Sequence, residues 1–312
     1  MEWWQALLLG LVQGITEFLP ISSSGHLVLV QQFLPLVSND PTAALFFDGL
    51  LHLGTTLAVG WYFLRVYWLQ PTKSRNFGTN RSPSDRTSDT ATYMASTPPP
   101  NPSARDGPLG QTDYALSWWS WCWLVAWASW PTVVAVVWLD NHIQASFVNV
   151  PLVAADFLVL GALLWFTDRL PRGTITLSRL HWYHACLIGF AQALAALFRG
   201  LSRSGLTITT ALLLGVERLT AVRFSFALAL VANSGLAVLG IWHAINADTT
   251  AAWLTIDFIL KTSLGTGFSA LVAYRTIKPL LNLVERAQLR WFSYYLWSSG
   301  LLAWGHYIAR SG

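Results

Sequence analysis

The stretch Gln13–His26, QGITEFLPISSSGH, gathers an amide (Gln13), a carboxylate (Glu17), three consecutive serines (Ser22, Ser23, Ser24) and an imidazole (His26) inside otherwise apolar sequence. Gln13 and Glu17 are four positions apart and share one helix face. Pro20 is expected to end that helix, Ser22 to Gly25 to form an irregular turn, and His26 to open the next helix. A second polar stretch, Phe198–Thr210, reads FRGLSRSGLTITT. Gly200 and Gly205 permit tight turns there, and Ser202, Arg203 and Ser204 precede an apolar helix. A helix N-terminus with hydroxyls and a guanidinium suits a phosphate group.

Together these groups suggest phosphoryl chemistry. Ser or His can attack phosphorus, a carboxylate can accept a proton or hold a divalent ion, and arginine stabilises charge on the phosphoryl oxygens. Taken singly, Glu17 reads as an interfacial carboxylate, the serines as helix caps and His26 as the partner of a buried carbonyl. As a set at membrane depth, where each ionisable group costs about 2.5–3.5 kcal/mol on insertion scales, they read as a site. The apolar surroundings imply a lipid substrate, and the residues by themselves point to hydrolysis of a lipid phosphate or diphosphate.

The elements that must position these groups follow from composition. The chain of 312 residues is 54% hydrophobic and 11% charged, with mean hydropathy +0.44, against about 25% charged residues in soluble domains. An all-α polytopic membrane protein is the class that fits. Apolar segments long enough to span a hydrocarbon layer of about 30 Å occur near 44–65, 116–139, 150–167, 222–245, 253–275 and 291–310. Two more apolar regions, 3–36 and 183–215, are interrupted by the polar stretches, and such breaks are tolerated only inside protein or beside water. The Trp-rich run Trp118–Trp130 reads as an interfacial belt. Cys122 and Cys186 read as small buried residues. The N-terminal MEWWQALLLG lacks a basic leader and a cleavage site, and reads as mature sequence. The formal charge of +4 is accounted for by basic cytoplasmic loops, so no nucleic-acid partner is expected.

Loop charge orients the spans. Lys73, Arg75, Arg81, Arg86 and Arg105 lie between 65 and 114, Arg169, Arg172 and Arg179 between 168 and 181, and Arg275, Lys278, Arg286 and Arg290 after the fifth span. The connections near 39–40, 140–149 and 246–252 have neither Lys nor Arg. The positive-inside rule places the first group in the cytoplasm and the second outside. The order then reads hairpin, span, span, span, twice over with opposite orientation: an inverted-topology repeat, about 1–167 and 183–312, with two re-entrant helical hairpins meeting at the midplane. The whole chain forms one membrane domain. Residues 71–110, rich in Ser, Thr, Asn and Pro, read as a disordered cytoplasmic linker.

VQGITEFLPISSSGHL (Val12–Leu27) and GLSRSG (Gly200–Gly205), with FFDGLLHLGTTLAV (Phe46–Val59) and RFSFALAL (Arg223–Leu230), resemble the undecaprenyl-diphosphate phosphatase family, the bacitracin-resistance proteins of the BacA type. The resemblance implies a multi-pass enzyme of the bacterial plasma membrane. It converts undecaprenyl diphosphate to the monophosphate, recycling the lipid carrier for peptidoglycan, and its active site opens to the outer side. It carries Glu17 over as the essential carboxylate, Gln13 as its neighbour, Ser22, Ser23 and His26 as the serine–histidine turn, and Arg203 as the phosphate-binding arginine. Ser202 and Ser204 flank that arginine, and Thr207 follows on the same helix. It also implies a divalent cation, Mg²⁺ or Ca²⁺, with Glu17 and Gln13 as the ligands expected here. The sequence leaves the nucleophile open between Ser23, His26 and water, and leaves the oligomeric state open, a homodimer included.

Arg199 and Val231 stand where the family usually has proline. Asp156 and the i, i+4 pair Asp257 and Lys261 are ionisable groups in apolar spans, for which interfacial or self-paired roles are expected. SSGH and Ser202-Arg203 also echo type 2 phosphatidic-acid phosphatases, but those need a histidine six residues after the arginine, where this chain has Thr209. The remaining alternative is a transporter that flips the lipid monophosphate, because inverted repeats with broken helices are also carrier architecture.

Overall fold

The structure, a computed structural model, describes residues 1–33, 41–67, 118–139, 150–246 and 253–311. The expected linker 71–110 and the connections at 39–40, 140–149 and 247–252 lie outside the described residues.

Among the described residues there are ten α-helices and, in place of any sheet, an isolated bridge between Ile175 and Val216. The first half comprises α1 (Trp3–Thr16), α2 (Ser23–Phe33), α3 (Pro41–Tyr67), α4 (Trp118–Trp138) and α5 (Val150–Thr167). The second comprises α6 (Trp182–Leu197), α7 (Arg203–Leu213), α8 (Arg218–Asn246), α9 (Ile256–Glu285) and α10 (Arg290–Ser311). Five helices, α3, α4, α5, α8 and α9, are long and apolar enough to cross a membrane, as expected of a multi-pass membrane protein. The sixth expected span is α10, whose 22 residues reach about 33 Å at 1.5 Å per residue. It is more polar than the other five because Ser293, Ser298, Ser299 and His306 interrupt it. The fifth span runs further than its apolar stretch suggests, carrying Arg275 and Lys278 within α9 rather than in a loop.

The two interrupted regions are broken helices. α1 and α2 have 14 and 11 residues, α6 and α7 have 16 and 11; each is shorter than the roughly 20 residues a crossing requires. The most extensive helix pairings include several that are kept when the halves are exchanged. α1 packs on α9 as α6 packs on α4, while α3 with α8 and α5 with α10 pair across the halves. Small residues allow these close approaches. A Cβ on Gly10 of α1 would lie 2.5 Å from the Gly265 carbonyl oxygen of α9, and one on Gly189 of α6 would lie 2.3 Å from that of Ala128 in α4. Gln13 and Gln192 each follow three positions after those glycines.

An apolar cluster from α5 backs both breaks. Val153, Phe157, Leu160 and Leu164 pack with Ile21 and Val28 from the first hairpin and with Leu201 and Leu206 from the second. At the opposite end of α5, Asp168 accepts from the backbone N–H groups of Leu289 (3.0 Å) and Arg290 (2.7 Å), fixing the start of α10. Two expectations for individual residues change. Cys122 is exposed on the outer face of α4 rather than buried. The Trp run is divided: Trp119 and Trp123 face outward, whereas Trp121 and Trp127 pack on the core, because a helix of 3.6 residues per turn sends consecutive side chains to different faces.

Candidate active site

Each broken helix delivers its polar groups through a local device. α1 ends at Thr16, four residues before Pro20, so Glu17 is the first residue past the helix, its N–H still bonded to the Gln13 carbonyl. The turn that follows is shorter than expected: α2 starts at Ser23, which places Ser23, Ser24 and Gly25 in its first turn and His26 one turn in. Ser22 makes this possible by taking a left-handed backbone (φ 69°) and accepting from the Gly25 N–H at 3.2 Å. In the second hairpin Ser202 caps α7, accepting from the Gly205 N–H at 3.1 Å, so Arg203 occupies the first helical position.

Two hydrogen bonds lock the tips together. Ser22 Oγ donates to the Arg199 carbonyl oxygen at 2.7 Å, and Ser204 Oγ to the Leu19 carbonyl oxygen at 3.0 Å. The second tip is also held from behind. Asp156 on α5 is buried, and its Oδ2 accepts from the Gly200 N–H at 3.1 Å. This corrects the interfacial role expected for Asp156: a buried turn needs an acceptor for its unpaired N–H, and the carboxylate supplies it. The Asp257–Lys261 pair is self-paired as expected, at 2.5 Å.

Glu17 is the centre of the assembled site. Its side chain is 1% exposed, and a carboxylate so buried requires partners for both oxygens. Oε1 accepts from Arg203 Nη2 and from Asn233 Nδ2 of α8 at 2.8 Å. Oε2 accepts from Gln13 Nε2 at 2.8 Å and from Ser23 Oγ at 2.7 Å, and His52 Nε2 of α3 lies 3.4 Å away. The structure therefore brings together Gln13, Glu17, Ser23 and Arg203, four of the residues singled out from sequence. A serine hydroxyl bonded to a carboxylate is the geometry of a nucleophile with its base. Arg203 is only half committed, because its Nη1 is buried without a hydrogen-bond partner and is thus a donor available to an anion.

The other expected residues occupy different positions. Ser202 and Ser204 share a hydrogen bond at 3.0 Å, and Thr207 Oγ1 bonds the Arg203 carbonyl and the Ser225 hydroxyl, both at 2.8 Å. With Ser22, these hydroxyls shape the tips. His26 stands apart from the Glu17 network: its Nδ1 lies 2.6 Å from the Ser22 carbonyl oxygen and its Nε2 2.7 Å from the Tyr295 hydroxyl. Asn233 and His52 join the site without having been singled out, and Asp156 joins it in place of its expected interfacial role. Their common signal is a polar side chain within an apolar span, as in ALALVANSGLAVLG and FFDGLLHLGTT.

A divalent ion would find part of its coordination here. Among the described residues no three His, Cys, Asp or Glu side chains converge, but beside the Glu17 carboxylate the Gln13 Oε1 atom is buried and without a partner. Both Glu17 oxygens accept from protein donors, so a hard cation, which needs oxygen ligands, would find the Gln13 Oε1 unengaged and would reach Glu17 by displacing one of those donors.

The comparisons with known proteins agree with this site. The family described as "Bacitracin resistance protein BacA" matches residues 6–302. A protein of Alcanivorax borkumensis named undecaprenyl-diphosphatase is 36% identical over 295 residues, covering 95% of each chain. One of Paenarthrobacter aurescens with the same name is 35% identical over 297 residues, covering 95% of this chain and 93% of its own. A match running from the first helix into the last, through both hairpin tips, makes this chain a member of the BacA family of bacitracin resistance proteins.

Proposed function

We propose that the chain hydrolyses undecaprenyl diphosphate to undecaprenyl phosphate and inorganic phosphate, with Ser23 as nucleophile and Glu17 as its base. The observation that carries this reading is the buried set in which Glu17 accepts from Ser23 on one oxygen and from Arg203 on the other, while Arg203 keeps a second nitrogen free of protein partners. A phosphate carrier has use for the arginine but none for a hydroxyl aligned on a carboxylate, and the relatives bear the name of a phosphatase rather than a transporter.

Ser23 Oγ bonds to the terminal phosphorus as the bond from that phosphorus to the bridging oxygen breaks. The hydroxyl proton passes through Glu17 to the departing lipid phosphate. Water then attacks the phosphoserine, Glu17 relays a water proton to Ser23 Oγ, and inorganic phosphate leaves. Arg203 and the first turn of α7 stabilise the charge on the phosphoryl oxygens. Ser22, Ser202, Ser204 and Thr207 set the shape of the cradle. His26, with both ring nitrogens engaged elsewhere, is not the attacking group. Glu17 and Gln13 would hold a divalent cation, which when bound neutralises part of the diphosphate charge. The distribution of Lys and Arg supports a plasma-membrane protein whose first hairpin enters from outside and whose site opens there. The matching helix pairings support two inverted repeats at about 1–167 and 183–312.

The test is phosphate release from undecaprenyl diphosphate by purified protein in liposomes, with Mg²⁺ or Ca²⁺ present and then chelated. Ser23→Ala, Glu17→Gln and Arg203→Ala should each abolish it, and substrate labelled in the terminal phosphate should leave the label on Ser23. Label on His26, or full activity in Ser23→Ala, overturns the assignment of the nucleophile. A folded wild type that releases no phosphate overturns the phosphatase reading.

A further inference from the structure

Beside the tip of the first hairpin lies a groove of 480 Å³, lined by Leu19 of the tip, by Leu271, Arg275, Pro279 and Leu283 of α9, and by Phe292 of α10. Leu19 and Phe292 pack against both of the larger apolar clusters, so the groove sits where the two cores meet. Its walls are tied to the hairpin. Thr276, which also lines it, donates to the Gly14 carbonyl oxygen at 3.2 Å, and the Leu19 carbonyl accepts from Ser204. None of Gln13, Glu17, Ser23 and Arg203 lines it, which sets it apart from the site of the chemistry.

Depth and charge say what fits there. A rise of 1.5 Å per residue from Ile256 puts Arg275 about 29 Å along α9, one hydrocarbon thickness of about 30 Å from the start of that helix. A guanidinium at that depth stands at headgroup level, beside an apolar wall. Arg275 and Lys278 are both exposed, and neither side chain makes a hydrogen bond or ion pair among the described residues. Arg286 and Arg290 follow, against Glu285 alone. Asp168, at the same end, is engaged by the N–H groups of Leu289 and Arg290 and by Arg218 at 4.0 Å. In contrast α4, which packs on the second hairpin as α9 packs on the first, has no Lys or Arg. The cationic groove is therefore no by-product of the repeat.

We propose that this groove binds an anionic phospholipid of the leaflet that the basic end of α9 faces, the cytoplasmic one by the distribution of Lys and Arg. An acyl chain lies against Leu19 and Leu271, and the headgroup phosphate meets Arg275 and Lys278. Charge selects this occupant. An isoprenyl tail would fill the apolar wall and leave the guanidinium unanswered, whereas a phospholipid brings hydrocarbon for the leucines and a phosphate for the cations. The lipid is a resident of the fold and takes no part in the reaction, so the proposal stands independently of the phosphatase reading.

Photolabelling of the full-length protein in phosphatidylcholine nanodiscs tests this. Phosphatidylglycerol with a diazirine on one acyl chain should label Leu19, Phe292 or the 271–283 stretch of α9, and unlabelled phosphatidylglycerol should displace it. The same probe with a phosphatidylcholine headgroup should label these residues only at background. Apparent affinity should fall about fivefold in Arg275→Gln and about fivefold again when Lys278→Gln is added, the equivalent of about 1 kcal/mol per charge. Leu271→Trp, which fills the groove and keeps both cations, should also weaken labelling. Equal labelling by the two headgroups, or unchanged affinity in the doubly substituted protein, means bulk lipid only and overturns the site. A prenyl diphosphate with a diazirine at the end of its tail that labels the groove, and is not displaced by phosphatidylglycerol, makes the groove a channel for the substrate's tail and refutes the proposal.

Discussion

Asn233→Ala isolates one donor of the Glu17 network without touching nucleophile, arginine or backbone. The amide comes from the middle of α8 and donates to Glu17 Oε1 at 2.8 Å, and it is 4% exposed. Hydrogen bonds to charged groups contribute about 1.5–3 kcal/mol, and each 1.4 kcal/mol is about tenfold in rate. If the bond orients the carboxylate for Ser23, kcat/KM for undecaprenyl diphosphate should fall about 10- to 150-fold. Glu17 retains Arg203, Gln13 and Ser23, so the protein should still fold. Asn233→Asp is nearly isosteric but sets a second carboxylate against the first, so it should lose more than Asn233→Ala does. The assay is steady-state phosphate release, normalised to the monodisperse fraction on size exclusion. An Asn233→Ala enzyme within twofold of wild type, alongside an inactive Glu17→Gln, would refute the idea that Glu17 depends on its full set of donors.

Arg203→Lys should lose nearly as much activity as Arg203→Ala, because one ammonium cannot meet Glu17 with one nitrogen and an anion with another; near-wild-type kcat/KM in the lysine variant would contradict the two-handed role. Asp156→Ala leaves the buried Gly200 N–H without its acceptor, which costs about 1–3 kcal/mol, and a thermal shift assay should show a lower Tm, with Asp156→Asn retaining most of it. Gly10→Ala drives a methyl to within 2.5 Å of the Gly265 carbonyl and should destabilise by about 1–3 kcal/mol. Gly267→Ala, whose Cβ meets nothing within 4 Å, should be neutral or stabilising by up to about 1 kcal/mol.

The membrane class, the breaks in two helices and the Gln13–Glu17–Ser23–Arg203 core were legible because each leaves a local mark. A run of about 20 apolar residues makes a span, and glycines, serines and a charge inside such a run make a break. Asn233 and His52 were legible in type but not in direction. A single polar residue in a span signals a buried partner without saying which of several helices carries it, and the partner of Asn233 lies 216 positions away. Asp156 was misjudged because nearness to a helix end suggests an interface, while the packing of α5 against both tips carries it inward. His26 was expected to open α2 and lies one turn inside it; its contact with the Ser22 carbonyl is local, but its bond to Tyr295 spans 269 positions and leaves no local mark.

The Glu17–Arg203 contact joins residues 186 positions apart, and this has a consequence for biosynthesis. At about 5–20 residues per second, the ribosome delivers Arg203 some 10–40 s after Glu17. Over that interval a carboxylate with no arginine, and no Asn233, would sit at membrane depth at a cost of about 2.5–3.5 kcal/mol. The first hairpin is therefore expected to wait at the bilayer surface or in the insertion machinery until α7 and α8 exist. A chain released after α5 should be degraded rather than accumulate, so the ion pair at the centre of the site also acts as a checkpoint on completion of the protein.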